Sequence, residues 1–156
     1  MELGAMMLDR GILDEEIFTD ICGYSDQKKE FVKALDASSP VGILLCGPPG
    51  CGKSELLKQI RNHFEEESVF IDGRYGSKAG IFQILYDERP KYVLLDEIDK
   101  LTRPDQLALL NLMESGKLTK TTKWECYEIN LNAWVFATGN NKKKILEPLL
   151  SDRLRR

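Results

Sequence analysis

A chain of 156 residues, with 42% hydrophobic and 30% charged residues, is typical of one globular domain built around a single core. No apolar run approaches the roughly 20 residues that cross a bilayer, and the four cysteines follow neither a C-x-x-C pattern nor a metal-ligand spacing, so we expect a cytoplasmic protein with reduced thiols and no membrane partner. The net charge of −3 argues against a uniformly basic nucleic-acid binder.

Apolar runs and helical periodicity alternate along the chain after an irregular lead-in over residues 1–16. Residues 117–131 alternate loosely in polarity, which predicts a β-hairpin. Strands that alternate with helices predict an α/β fold in which a parallel sheet is covered on both faces. Helices are predicted over residues 25–35, 55–64, 81–86, 105–113 and 144–150, and strands over residues 41–46, 68–72, 91–95 and 133–137, of which those over 41–46 and 91–95 are expected to be buried.

For two of the predicted helices, the sequence also predicts the roles of particular residues. Ser25 is a favourable N-cap residue, and it lies where the first helix begins. In the fourth helix, Leu107, Leu110 and Met113 recur at helical spacing. We therefore expect these three side chains to form the apolar face of that helix.

The segment Gly47-Pro48-Pro49-Gly50-Cys51-Gly52-Lys53-Ser54 matches the phosphate-binding pattern G-x-x-x-x-G-K-[ST] at every specified position. It lies between a predicted strand and a predicted helix, the context that separates a phosphate loop from a chance match. Its glycines allow successive backbone N–H groups to point inward, and the helix start adds partial positive charge. Lys53 is then expected to reach the outer phosphates of a nucleoside triphosphate and Ser54 to bind Mg²⁺. Glu55 completes the predicted nucleotide-binding set.

Two carboxylates, Asp96 and Glu97, follow the predicted strand over residues 91–95. Ligands bind at the carboxyl ends of parallel strands, so both side chains are expected beside the phosphate loop. Asp96 is predicted to hold Mg²⁺ directly or through water, and Glu97 to polarise the water that attacks the γ-phosphate. The pair therefore predicts hydrolysis of the bound nucleotide as well as binding.

The sequences GPPGCGKS and YVLLDEIDKL resemble the two nucleotide motifs of the AAA+ family of ATPases. The resemblance implies ATP as the nucleotide and Mg²⁺ as its ion. It also implies a P-loop fold, in which a parallel sheet lies between two helical layers as a three-layer αβα sandwich. The similarity covers residues 17–156, which we expect to form an AAA+ core that ends before the small helical lid of the family.

Two segments downstream extend the resemblance. Phe136-Ala137-Thr138-Gly139-Asn140 is similar to the sensor segment of the family, in which a polar residue contacts the attacking water or the γ-phosphate. This implies a sensor role for Asn140, with Asn141 as the alternative. The segment Pro148-Leu149-Leu150-Ser151-Asp152-Arg153 is similar to the one that carries the arginine finger. It implies that Arg153 completes the site of a neighbouring subunit in a homo-oligomeric ring or filament.

A third segment, upstream of the phosphate loop, resembles the entry to the adenine pocket of the family. It runs Phe18-Thr19-Asp20-Ile21-Cys22-Gly23-Tyr24. The resemblance implies that Ile21, Gly23 and Tyr24 contact the base. Apolar residues at these positions are equally expected in the core, so both interpretations stay open.

Residues 110–131 resemble the pre-sensor hairpin of one AAA+ branch, which includes minichromosome-maintenance helicases, the Holliday-junction branch-migration motor, and MoxR-type and Lon-type remodellers. Lys117, Lys120, Lys123 and Trp124 offer either phosphate contacts and a stacking surface for DNA or simply a solvated hairpin tip. The branch implies ATP hydrolysis coupled to DNA remodelling. The alternatives are MoxR-like protein remodelling and a nucleotide-binding switch with little turnover.

Overall fold

The structure is a computed structural model of the protein, and it describes residues 15–150. No helix in this part of the chain is long and apolar enough to span a bilayer. The helices of residues 15–150 are α1 (Ser25–Leu35), α2 (Lys53–His63), α3 (Lys78–Glu88), α4 (Arg103–Ser115) and α5 (Glu147–Leu150), with short 3₁₀ turns at Glu15–Phe18, Ile98–Lys100 and Lys142–Lys144. The strands are β1 (Gly42–Cys46), β2 (Ser68–Asp72), β3 (Tyr92–Asp96), β4 (Lys117–Thr121), β5 (Cys126–Asn130) and β6 (Trp134–Gly139).

Four of these strands form a parallel sheet in the order β1-β6-β3-β2. All five residues of the central strand β3 are buried. Strand β1, which the sequence predicts to be buried, is only half-buried along its whole length, because within the described residues it lies at the edge of the sheet. Strands β4 and β5 form a separate antiparallel hairpin that directly precedes β6, as predicted.

Alternate residues of the two central strands point to opposite faces of the sheet, and a hydrophobic cluster covers each face. On one face, Val93 and Val135 pack in a cluster with residues of α3, α4 and the hairpin. On the other, Leu94 and Phe136 pack with α1, α2 and the turn Glu15–Phe18. These two helical layers around a parallel sheet confirm the predicted α/β sandwich.

The helix ends differ from the predicted ones where a cap extends the helix. The Thr102 side chain accepts a hydrogen bond from the Asp105 backbone N–H, so α4 begins at Arg103. In the same way the Ser77 side chain caps α3 by accepting from Gly80 N, and this helix is longer than predicted at both ends. Ser25 is not an N-cap: it is the first residue of α1.

The predicted apolar face of α4 is wrong at one position. Leu107 is 50% exposed, whereas Ala108, Leu109 and Leu112 are buried. The helix is rotated so that these residues, together with the predicted Leu110, face the core. The single helix predicted over residues 144–150 is also wrong. A 3₁₀ turn and the one-turn helix α5 stand there, and a proline such as Pro148 is tolerated only in the first turn of a helix.

Candidate functional site

The predicted phosphate loop connects the carboxyl end of β1 to the first residue of α2. Gly50 and Gly52 have φ values of 78° and 80°, in the left-handed region that side-chain-bearing residues rarely adopt. Gly52 occupies the N-cap position of α2 without a side-chain cap, so no cap side chain competes with an anion for the backbone N–H groups of Lys53 and Ser54. Gly47 N donates to Gly139 O at 3.2 Å, which attaches the loop to the end of β6.

Lys53 lies inside this loop and is only 8% exposed. Its Nζ donates to the carbonyl oxygens of Gly47 at 3.0 Å and Pro48 at 2.7 Å. The Cys51 Sγ atom lies 3.4 Å from the same nitrogen. A buried cation is thus held by the loop that the sequence predicts to bind phosphate, and its ammonium is positioned at the centre of that loop.

Ser54, Asp96 and Thr138 join α2, β3 and β6 through hydrogen bonds. Ser54 Oγ donates to Asp96 Oδ1 at 2.8 Å, and Thr138 Oγ1 donates to the same carboxylate oxygen. Thr138 Oγ1 also accepts from the backbone N–H of Glu97 at 3.0 Å. Hydroxyl and carboxylate oxygens suit Mg²⁺, which usually takes few protein ligands beside water and phosphate. The donor set formed by Ser54 and Asp96 therefore fits this ion.

Glu97 follows β3 directly and contacts Asn140, which follows β6. Asn140 Nδ2 donates to Glu97 Oε1 at 3.3 Å. The neighbouring Asn141 instead accepts a hydrogen bond from Lys143 N at 3.1 Å and caps the 3₁₀ turn Lys142–Lys144. Of the two asparagines considered for the sensor role, Asn140 is therefore the one that lies against Glu97.

The β2–α3 loop adds Gly73 and Arg74, which no sequence motif indicates. Arg74 Nη2 lies 2.6 Å from Asp72 Oδ2, and its Nε lies 3.6 Å from Glu97 Oε2. Hydrogen bonds from the Arg74 side chain hold the pKa of Asp72 below its ordinary value, and the same contacts raise the pKa of Arg74. The site thus contains a cation close to the Glu97 carboxylate, contributed by a loop without a recognisable motif.

Gly73 makes this approach possible. Its backbone N–H donates to Asp96 O at 2.7 Å. A Cβ atom on Gly73 would lie 2.3 Å from Glu97 O, a distance that real Cβ atoms do not show. Only glycine allows the end of β2 to lie this close to the backbone that carries the two carboxylates.

The three residues predicted for the adenine pocket lie in different environments. The Tyr24 hydroxyl donates to the Cys51 carbonyl oxygen, so this ring lies against the phosphate loop. Gly23 is exposed and has a φ of 80°. Ile21 is buried in the cluster beneath α1 and α2, which favours its core interpretation.

Two further predicted residues are not brought to the site by the described structure. The exposed Glu55 side chain contacts Gln59 and Lys58 along the surface of α2. Arg153 lies outside the described residues.

The hairpin β4–β5 carries mixed charge and one prominent aromatic ring. Trp124 is 84% exposed at its tip, with Lys123 Nζ 5.0 Å from the ring centroid. Lys117 Nζ lies 3.4 Å from Glu128 Oε1, and Lys120 Nζ lies 5.6 Å from the centre of the Phe82 ring in α3. Each of the three lysines thus has a partner in the protein itself.

Residues 43–156 match the family described as "AAA: ATPase family associated with various cellular activities (AAA)". The chain is 27% identical over 135 residues to the ribosome biogenesis ATPase RIX7 of Saccharomyces cerevisiae, covering 80% of this chain and 16% of that relative. It is 26% identical over 84 residues to a 26S proteasome regulatory subunit 6B homolog of Encephalitozoon cuniculi, covering 47% and 22%. It is 24% identical over 158 residues to the ATP-dependent zinc metalloprotease FtsH of Lactococcus lactis, covering 85% and 23%. The chain spans less than a quarter of the length of each of these relatives.

Proposed function

The chain belongs to the AAA family of ATPases, and we propose that it binds ATP with Mg²⁺ at residues 47–54 and hydrolyses it with Glu97 as the residue that orients the attacking water. One observation carries this proposal. At the carboxyl ends of β3 and β6, the Ser54 and Thr138 hydroxyls both donate to the Asp96 carboxylate. Thr138 also accepts from the main-chain N–H of Glu97, whose carboxylate accepts from the Asn140 amide. These strand ends form the edge of a parallel sheet at which ligands bind.

The residues of the network have distinct tasks in this proposal. Lys53 exchanges its bonds to the loop carbonyls for bonds to phosphate oxygens. Ser54 and Asp96 hold Mg²⁺, which supplies charge stabilisation to the phosphates when bound. Glu97 accepts the proton of the attacking water. Asn140, the proposed sensor for that water or the γ-phosphate, also holds the Glu97 carboxylate in place. Tyr24, which lies against the loop, is the residue proposed to line the adenine site.

The substitution Glu97→Gln tests the hydrolytic role. It removes the proton acceptor and keeps the shape of the side chain, so we expect ATP turnover to fall by about 100-fold or more while ATP still binds. Phosphate release measures turnover and calorimetry measures the affinity for ATP. The exposed Glu88→Gln serves as the control. Turnover at the wild-type level in Glu97→Gln would contradict the proposal. A wild-type protein that binds ATP and hardly hydrolyses it would favour the nucleotide-switch hypothesis.

We further infer that hydrolysis is coupled to remodelling of a macromolecule bound at the hairpin β4–β5. The position of this hairpin directly before β6 supports the branch with a pre-sensor hairpin. The mixed charge of the hairpin and the internal partners of its lysines favour a protein substrate over DNA. The DNA-remodelling hypothesis then depends mainly on Trp124, whose exposed ring offers one stacking surface.

Stimulation of the ATPase separates these two substrates. We expect an unfolded protein such as reduced casein to raise turnover, and Trp124→Ala to remove most of that increase without changing basal turnover. Substitution of the exposed His63 by alanine is the control. Stimulation by duplex DNA that weakens steeply with salt would instead support the DNA hypothesis.

A further inference from the structure

Asp99 is a buried carboxylate that the proposed reaction does not use directly. It lies in the 3₁₀ turn Ile98–Lys100, two residues after Glu97, and is 5% exposed. Its Oδ1 atom accepts a hydrogen bond from the backbone N–H of Asn140 at 2.8 Å. Burying a carboxylate is unfavourable unless hydrogen bonds compensate. We therefore expect the buried Asp99 carboxylate to have a role at the end of β6.

The geometry shows that the short segment 97–99 holds Asn140 at two points. The Asp99 carboxylate accepts from the Asn140 main chain, and the Glu97 carboxylate accepts from its side-chain amide at 3.3 Å. Strand β6 ends at Gly139, so no strand pairing fixes the main chain of the next residue. The hydrogen bond to Asp99 fixes the main chain of Asn140 instead. It therefore also fixes the direction in which the Asn140 side chain extends from the backbone.

We propose that Asp99 is a positioning residue, which orients Asn140 and through it the carboxylate of Glu97. The inference rests on the proposed function, because it assigns Asn140 and Glu97 to ATP hydrolysis. The bond requires an acceptor oxygen on the second side-chain carbon, Cγ, and does not require the negative charge. An asparagine at position 99 retains such an oxygen, whereas an alanine does not.

A double-mutant cycle tests the proposal. We expect Asp99→Ala to lower kcat by about 10- to 100-fold, because misplacement of a catalytic group is costly, while the Kd for ATP stays within about twofold of the wild type. Asp99→Asn should restore most of the lost kcat. If Asp99 acts only through Asn140, the double variant Asp99→Ala, Asn140→Ala should be no slower than Asn140→Ala alone. The exposed Asp87→Ala is the matched control, and the melting temperature of every variant is recorded.

Three results would overturn the inference: wild-type kcat in Asp99→Ala, losses of kcat that multiply in the double variant, or an Asp99→Asn variant as slow as Asp99→Ala. If Asp99→Ala does not fold, Asp99→Ser takes its place, because the serine hydroxyl is too short to reach Asn140 N. Wild-type kcat in this variant would equally overturn the inference. Failure of the proposed function is distinguishable, because it would show as unchanged turnover in Glu97→Gln.

Discussion

At the scale of single residues, Gly73 shows how closely the backbone of the site is packed. A Cβ atom there would overlap with Glu97 O, which is a backbone atom and cannot rotate away. We expect Gly73→Ala to lower the free energy of unfolding by about 1–3 kcal/mol through overpacking and to lower ATP turnover by displacing Glu97. Chemical denaturation and phosphate release measure the two effects.

Gly80→Ala is the control for this prediction, because a Cβ at Gly80 meets only the Ser77 hydroxyl, at 3.3 Å. It should leave turnover unchanged. Equal turnover in Gly73→Ala and the wild type would show that the Glu97 backbone can shift without consequence.

The candidate site residues that the sequence predicts differ physically from those that it does not predict. The phosphate loop, Asp96 and Glu97 are encoded as motifs along the chain, and the structure places them together. Thr138 and Arg74 join the site only through strand pairing, which aligns Leu45 with Thr138 and Asp72 with Asp96. Such pairing between distant segments leaves no local pattern, apart from one polar residue near the end of an apolar strand.

At the scale of secondary-structure elements, one carboxylate connects the starts of two helices. Asp105 Oδ1 accepts from the Lys78 backbone N–H at the first residue of α3, at a distance of 2.6 Å. Asp105 Oδ2 accepts from Thr102 Oγ1, the N-cap side chain of α4. The helices were predictable from their apolar spacing, but their first turns and the rotation of α4 were not, because caps and tertiary packing decide both.

We expect Asp105→Ala to lower the free energy of unfolding by about 2–3 kcal/mol, since it removes the two hydrogen bonds that this buried carboxylate accepts and disturbs the cap of α4. Thermal or urea unfolding measures the change. Asp87→Ala, at the exposed end of α3, should change the same quantity by about 0.5 kcal/mol or less. Comparable losses of unfolding free energy in the two variants would mean that the hydrogen bonds of Asp105 to the starts of α3 and α4 contribute little to stability.

At the scale of the whole molecule, the arginine finger that the sequence resemblance implies at Arg153 would make catalysis a property of neighbouring subunits. We expect Arg153→Ala and Glu97→Gln each to be inactive alone. A mixture of the two should regain turnover, because some shared sites then combine an intact Glu97 with an intact Arg153. Phosphate release is measured across mixing ratios at constant total protein, with Glu88→Gln in place of Glu97→Gln as the reference. If the turnover of the mixture does not exceed the summed turnover of the two separate variants, Arg153 does not act between subunits.

The backbone of Glu97 has a consequence for attempts to engineer this protein. Its φ of 54° and ψ of 52° lie in the left-handed region, which costs a residue with an ordinary side chain about 1–2 kcal/mol. Asparagine and glycine tolerate this conformation better. A library screened only for heat resistance would therefore enrich these residues at position 97 and discard the carboxylate. Directed evolution of this domain needs a selection for turnover in every round, or it will converge on robust but inert proteins.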